Sequence, residues 1–195
     1  MAAVAVCIAH ASGAGGEEIG RLVADALGFR YVDEQILLTA AKKEGLEPAQ
    51  LAAIERRRSG LARLQVDLVS GGAVDELLRS LIRQSIVETA AGGNVVIVAH
   101  GAAFALAGDG RILRVLVTGS PEVRAGRLAQ AGLLDPKEAT RQIARSDKGR
   151  AAYLKRFYGV DRELPSHYDL AVNTDRLSPE TAATTVSALA AAHEG

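Results

Sequence analysis

A glycine-rich segment is the part of this sequence whose residue types indicate chemistry most directly. It lies between a run of apolar residues and a stretch with helical spacing. Glycines allow a backbone to turn back and direct successive N–H groups inward, and the start of a helix adds partial positive charge. The segment therefore predicts a phosphate site, and its predicted cofactor-binding residues are Ser12, Gly13, Ala14, Gly15, Gly16, Glu17 and Glu18.

The segment departs from both common glycine-loop patterns. If Gly15 is the second glycine of G-x-x-x-x-G-K-[ST], His10 replaces the first glycine and Gly16 replaces the lysine. In G-x-G-x-x-G, Glu18 replaces the third glycine, which argues against a Rossmann oxidoreductase. Glu17 and Glu18 would repel a phosphate unless they bind a metal, cap the helix or face away, and Glu18 is the predicted metal ligand. A plain turn between a strand and a helix is the alternative.

A basic segment between Arg141 and Arg162 is the second candidate group. It contains seven Lys or Arg and two Asp, so it carries a charge of +5 in a chain whose net charge is zero. Arg141, Arg145 and Lys148 have the four-then-three spacing of one helical face. Phosphoryl transfer needs cationic groups that position and neutralise phosphate oxygens. The segment therefore favours a phosphate-closing surface, and a solvated basic helix is the alternative.

Polar residues also follow the predicted strands. Asp33 ends the second apolar run, where it either holds a substrate hydroxyl or a metal-bound water, or caps the next helix. His100 follows the third run, and an ordinary polar residue at a strand end is the alternative. Asp33 and His100 are the predicted substrate-binding residues. Arg124 and Arg127, three residues apart after the fourth run, face either phosphate or solvent.

The elements that must position these groups follow from the apolar pattern. Continuous apolar runs are typical of strands covered on both faces, and five of them are predicted strands: Val4–Ala9, Phe29–Val32, Val95–Ala99, Leu113–Val117 and Leu170–Val172. Helical spacing lies between the runs, and the predicted helices are Glu17–Leu27, Val74–Ala91, Pro121–Ala131 and Pro179–Ala191. This alternation predicts an α/β fold with a parallel sheet whose ligand lies at the carboxyl ends of the strands.

The 195 residues are predicted to form one domain, 1–195. Segment 34–70 is predicted to be a helical acceptor-side lobe, and segment 135–165 a basic helical lid over the ligand edge. The arginine run Arg56–Arg58 lies in the first of these, where substrate, a partner and solvent all remain open as its contacts.

Composition excludes several classes of function. Zero net charge argues against a protein that coats nucleic acid, and a single cysteine excludes an internal disulfide or a multi-cysteine metal site. The uncharged runs 1–16 and 89–108 are interrupted by glycines and lack the pattern of a signal peptide or membrane span. We therefore expect a cytoplasmic protein without nucleic-acid or membrane partners, and the sequence leaves a homodimer open.

Over nearly its whole length the chain resembles the cytidylate kinase-like family, a branch of the nucleoside monophosphate kinases. The similar stretches are Ser12–Gly20, Tyr31–Asp33, Val96–Ala102, Asp147–Tyr153 and Tyr168–Thr174. The resemblance implies a three-layer P-loop kinase fold, with five parallel strands, helices on both faces and a helical lid. It also implies ATP with Mg²⁺ as donor and a nucleoside monophosphate, such as cytidylate, as small-molecule acceptor.

The resemblance also assigns residues. It implies that residues 12–18 cradle donor phosphates, that Asp33 borders the acceptor, and that the catalytic residues lie in the lid: Arg141, Arg145, Asp147, Lys148 and Arg150. The chain departs from the family at three positions that usually carry Arg, namely His10, Glu17 and His100. A phosphotransferase is therefore the predicted function, and a nucleotide-binding or regulatory module with weakened catalysis is the alternative.

Overall fold

The computed structural model of the protein describes residues 4–33, 73–132 and 134–193. The predicted acceptor-side lobe 34–70, with its run Arg56–Arg58, lies outside the described residues.

Five parallel strands form one sheet, as predicted. The strands are β1 (Ala5–His10), β2 (Arg30–Asp33), β3 (Val95–Val98), β4 (Ile112–Thr118) and β5 (Leu170–Asn173). Their order in the sheet is β2-β3-β1-β4-β5, and every neighbouring pair is parallel. Each boundary lies within one residue of its prediction, because a buried strand is marked by a continuous apolar run.

Helices connect the strands and cover the sheet. They are α1 (Gly16–Leu27), α2 (Ala73–Ala91), α3 (Ala102–Ala105), α4 (Pro121–Gln130), α5 (Pro136–Tyr158) and α6 (Pro179–Ala192). A 3₁₀ turn at Pro165–His167 precedes β5. The four helices predicted by range lie within one residue of those ranges, whereas the short α3 and the 3₁₀ turn were not predicted.

Proline and a capping side chain fix the starts of three helices. Ser120, Asp135 and Ser178 each precede a proline and accept hydrogen bonds from first-turn amides of α4, α5 and α6. Helix α5 is a single rod of 23 residues. The predicted basic segment 135–165 is therefore one long helix followed by a loop and the 3₁₀ turn.

Alternate side chains of the sheet feed two separate cores. Cys7 and Ile97 point to the side covered by α2, where they pack with Ile86. Val6, Ile8 and their neighbours point to the opposite side, where they pack with residues of α1 and α6 such as Ile19 and Val186. The result is the expected three-layer α/β arrangement. Within the described residues, no helix combines the length and apolar character needed to cross a membrane.

The parallel register brings the strand ends to one edge of the sheet. His10 lies beside Val117 of β4, and Asp33 lies beside Val98 of β3. The segments that follow β1, β3, β4 and β5 therefore meet at this carboxyl edge, where open α/β sheets bind their ligands.

Candidate functional site

The glycine loop between β1 and α1 occupies the centre of the carboxyl edge. Gly13 and Gly15 have φ angles of 76° and 81°, in the left-handed region that favours glycine. A Cβ at Gly13 would also lie 2.8 Å from the carbonyl oxygen of Arg124. The loop backbone is thus folded back on itself and packed closely against α4.

The loop presents a row of backbone donors. Ala14 N donates to Ala11 O at 3.0 Å. Within the described residues, the amides of Gly13 and of residues 15–18 donate to no backbone or side-chain acceptor. Residues 16–18 open α1, where the first amides of a helix have no intrahelical partner. These amides and the helix dipole suit an anion.

The carbonyl groups of the same loop are held by side chains from elsewhere in the chain. Ser12 O accepts from Arg124 Nη1 at 3.2 Å, and Gly13 O accepts from Arg127 Nη1 at 3.4 Å. Ala14 O accepts from the hydroxyl of Thr174 at 3.1 Å. Because the carbonyl oxygens have these partners, the loop is fixed with its amides available to a ligand.

Arg124 links the loop to α4 and α5. Its side chain is only 4% exposed, and its Nε donates to Gly119 O at 2.9 Å. Its two terminal nitrogens donate to the carboxylate of Asp147 at 2.9 and 2.7 Å. Arg124 therefore faces neither solvent nor open phosphate space, which were the two sequence-based alternatives. It positions the loop, and Asp147 orients Arg124.

Thr174, just after β5, is a positioning residue that was not among the predicted site residues. It is 3% exposed, and its hydroxyl lies 3.1 Å from both Ala14 O and Thr118 O. Arg127 donates to this hydroxyl at 2.9 Å and also to the Thr174 carbonyl. Two sequence signals were available: Thr174 lies two residues beyond the apolar run Leu170–Val172, and it ends the family-like stretch Tyr168–Thr174. Neither one indicates that its hydroxyl holds the loop.

Arg150 belongs to a second buried network. Its side chain is 8% exposed, and its Nε and Nη2 donate to the carboxylate of Glu163 at 2.7 and 2.5 Å. Tyr168 donates to the same carboxylate, and Arg150 Nη1 donates to His10 O at 3.3 Å. Burial raises the pKa of Glu163, but the hydrogen bonds and charge of Arg150 outweigh it and hold that pKa below its usual range.

The predicted lid residues are divided between opposite sides of α5. Arg141, Arg145 and Lys148 are exposed on one side, and the first two pair with Glu138. Arg150 lies on the buried side. Arg150 therefore does not share the exposed surface of Arg141, Arg145 and Lys148, because the two-residue step from Lys148 to Arg150 advances the helix by about 200°.

Glu17 in the first turn of α1 and Asp33 at the end of β2 both pair with Arg21. Arg21 pairs with Glu17 at 3.6 Å and with Asp33 at 3.8 Å, and its guanidinium lies 4.8 Å from the centre of the Tyr31 ring. Glu17 thus has a cationic partner one turn further along α1. Glu18 is exposed on the first turn of the helix.

His100 lies against His10 at the end of β1, with the ring centres 5.6 Å apart. His10 in turn covers the start of α1. A Cβ at Gly16 would lie 2.3 Å from the Cβ of His10, so a lysine at this position would require the histidine to move. The structure therefore brings His10, His100 and the loop together, whereas Asp33 lies two strands away from β1.

The loop amides suit an anion such as phosphate, and no comparable set of metal ligands stands beside them in the described residues. Among the residues that the structure describes, no three His, Cys, Asp or Glu side chains form a metal-binding group. Mg²⁺ in nucleotide sites needs only one or two carboxylates in addition to phosphate oxygens. The prediction that Glu18 is a metal ligand is untested by these observations.

A parallel sheet of order β2-β3-β1-β4-β5 with a glycine loop after its central strand defines a P-loop fold of the kinase type. A family model for the cytidylate kinase-like family matches residues 5–176, and the chain belongs to this family. A cytidylate kinase of Methanopyrus kandleri is 28% identical over 186 residues, which cover 91% of this chain and 88% of that protein.

Solved structures show the same fold at low sequence identity. An uncharacterised protein from Eubacterium ventriosum has a TM-score of 0.71 at 16% identity, with 94% of this chain and 95% of that one covered. A shikimate kinase from Bacteroides thetaiotaomicron has a TM-score of 0.57 at 18% identity, with 96% and 98% covered. These similarities confirm the predicted fold.

Proposed function

We propose that the protein is an ATP-dependent phosphotransferase that acts on a nucleoside monophosphate, with cytidylate as the first candidate. The observation that carries the proposal is the glycine loop. Within the described residues, the amides of Gly13 and of residues 15–18 have no acceptor, whereas three loop carbonyls are held by Arg124, Arg127 and Thr174. Such a loop binds phosphate oxygens without first breaking its own hydrogen bonds. Family membership and the name of the Methanopyrus relative support a nucleotide as the ligand.

The acceptor is proposed to bind beside the loop, at the ends of β2 and β3. Asp33 and His100 both lie at this edge, and each can contact a sugar hydroxyl or a phosphate. The carboxylate of Asp33 pairs with Arg21 at 3.8 Å, which directs it. This placement would bring an acceptor close to the phosphate bound by the loop.

Mg²⁺ would neutralise and orient the donor phosphates, and Glu18 is the residue proposed to hold it with the phosphate oxygens. The amides of Gly13 and of residues 15–18 would bind and orient the donor. Because the transition state spreads negative charge over phosphate oxygens, fixed donors of this kind lower its energy.

The lid residues are proposed to have two separate roles. Arg141, Arg145 and Lys148 form the exposed cationic side of α5. Because the other side of this helix packs on α4 and the loop, these cations would neutralise phosphate only after α5 turns toward the loop. Asp147 and Arg150 act through the loop, because the first orients Arg124 and the second holds the carbonyl of His10. The second pair is therefore expected to set the position of the loop rather than to contact the reacting atoms.

One observation favours the alternative, a nucleotide-binding module with weakened catalysis. The loop has Gly16 in place of the usual lysine, and the histidine packed on it blocks that position. If no other cation compensates, the protein would bind ATP and transfer its phosphate slowly.

A single charge in the loop tests phosphate binding. The pair Gly15→Asp and Gly15→Asn has the same shape, and both side chains tolerate the left-handed conformation better than most. A Cβ at Gly15 meets nothing within 4 Å. A carboxylate about 5 Å from a phosphate charge costs about 3 kcal/mol at an effective dielectric constant of 20. We expect Gly15→Asp to bind ATP about 100-fold more weakly than Gly15→Asn.

Calorimetric titration with MgATP measures this difference, and thermal unfolding shows that both variants are folded. Equal affinities in two folded variants would contradict a phosphate site at the loop. A coupled assay of ADP release with CMP, UMP and AMP then tests transfer. ATP binding without turnover on any acceptor would contradict the kinase proposal and favour the binding module.

A further inference from the structure

Two of the four histidines of this chain contact each other beside the glycine loop. The rings of His10 and His100 are 5.6 Å apart and tilted by 42°. His10 Nδ1 lies 3.3 Å from Ala11 O, and the base of its side chain covers Gly16. The pair therefore sits at the place where a phosphate-loop lysine would otherwise supply a positive charge.

The groups around the pair oppose one another electrostatically. The start of α1 and the guanidinium of Arg150, which donates to His10 O, disfavour a positive charge on His10. The carboxylate of Glu163 lies on the side of His100, and its pKa is lowered in part by the charge of that histidine.

Among the described residues, ionisable groups on the elements next to the pair also include acids on α1, Asp33 at the end of β2 and phenols on α5. Glu17 and Glu18 lie in the first turn of α1, where Glu17 pairs with Arg21. The hydroxyls of Tyr153 and Tyr158 approach Gly101, next to His100. Phenols are neutral at physiological pH, so among the described groups it is Arg150, Glu163 and the nearby acids that act on the charge state of the histidine pair, together with any bound anion.

We propose that the His10–His100 pair takes up one proton from solvent when a phosphate group binds the glycine loop, so that a shared imidazolium supplies the charge of the missing lysine. The inference rests on the proposed function, because it requires phosphate at the loop. One proton for the pair follows from the contact, since two adjacent imidazolium rings repel each other. Histidine titrates near pH 6.5 in water, so a nearby anion moves this change into the physiological range.

The proposal predicts a pH-dependent affinity. An opposite charge within 4–6 Å typically shifts a titration by about 1–3 pH units. Affinity for the phosphate ligand therefore falls by about tenfold for each pH unit between the titration midpoints of the free and bound states. An arginine in place of His10 would carry a permanent positive charge, so it would remove this pH-dependent part of the affinity.

The direct test is an NMR titration of the histidine ring protons, with and without saturating MgATP. We expect the midpoint of His10 or His100 to rise by about one pH unit or more when MgATP is bound. His193 is the internal control, because its ring contacts Gly110 O ahead of β4, at the opposite edge of the sheet. Its midpoint is expected not to move.

The second test compares variants by calorimetric titration with MgATP from pH 6 to 8. The pH dependence of ATP itself is common to wild type, His193→Gln and His10→Arg. The difference between the pH profiles of wild type and His10→Arg therefore belongs to the histidine pair, and His193→Gln is expected to follow wild type. Between pH 6 and 8, we expect the fold-loss of MgATP affinity to be about ten times smaller for His10→Arg than for wild type.

The outcomes separate the two proposals. If MgATP shifts the amide signals of residues 13–16 but neither His10 nor His100 changes its midpoint, the proton-uptake inference is overturned and the phosphate site stands. If MgATP changes neither the amides nor the stability of the protein, both proposals fail. Parallel pH profiles for wild type and a folded His10→Arg would also overturn the inference.

Discussion

The hydroxyl of Thr174 joins the last strand to the glycine loop, and Thr174→Val tests whether this contact holds the loop. The hydroxyl has one proton for two carbonyl oxygens, Ala14 O and Thr118 O, both 3.1 Å away. Thr118 O also accepts from the backbone amide of Thr174 at 2.8 Å, so it keeps a partner in the variant. Ala14 O loses its side-chain donor, and Arg127 loses an acceptor at 2.9 Å.

The expected cost follows from this count. A buried polar group left without a partner costs about 1–3 kcal/mol, and valine fills the same volume, so no cavity term is added. For a chain of this size, each kcal/mol lowers the melting temperature by about 2–4 °C. We therefore expect Thr174→Val to unfold about 2–12 °C earlier and to bind MgATP more weakly, because Ala14 O and the loop amides are free to reorient.

The assay is urea and thermal unfolding followed by circular dichroism, since the chain has no tryptophan. Thr185→Val is the matched control, because that hydroxyl donates to Thr181 O on the exposed side of α6. Its stability is expected to change by less than about 0.5 kcal/mol. The reasoning is refuted if the two variants unfold together, or if Thr174→Val is destabilised while its affinity for MgATP is unchanged.

Three further predictions concern packing and ionisation. Gly16→Ala is expected to lower stability by about 1–3 kcal/mol, because its Cβ would lie 2.3 Å from a side-chain carbon of β1. The control Gly126→Ala meets nothing within 4 Å and should be neutral or stabilising, so equal melting temperatures for the two variants would contradict this expectation. The pKa of Glu163 is lowered in the folded protein, so the stabilisation from this carboxylate is present above the usual pKa of 4.5 and is lost as the pH falls through the folded-state pKa. In Glu163→Gln the urea midpoint should therefore fall less steeply in acid than in wild type. Parallel plots of urea midpoint against pH for the two proteins would count against the ion pair. Burial raises the pKa of the Cys7 thiol to about 12, so iodoacetamide at neutral pH should label this residue only after unfolding. Rapid labelling of the native protein would show that β1 is not buried.

The sequence predicted those features that depend on local patterns. The strand and helix boundaries were within one residue because buried strands are continuous apolar runs, and because Ser120 and Ser178 cap helices that begin with proline. The glycine loop was found because left-handed backbone and close packing require glycine at Gly13. The short helix α3 was missed, since four residues of mostly alanine carry no periodicity.

Side-chain partnerships across long sequence separations could not be predicted in the same way. Arg124 and Asp147 are 23 residues apart, and Arg150 and His10 are 140 residues apart. In the sequence, Arg124 and Arg150 look like other arginines on helices. Only the packing of α5 against α4 and the loop distinguishes them from solvated cations.

The sequence by itself therefore determined the succession of strands and helices along the chain and the glycine loop between β1 and α1, because each depends on residues that are neighbours along the chain. Tertiary structure decided which cations remain exposed, which ones hold the loop carbonyls, and that His10 contacts His100. Those outcomes depend on parallel register and helix packing, which bring together groups that the chain separates by tens of residues.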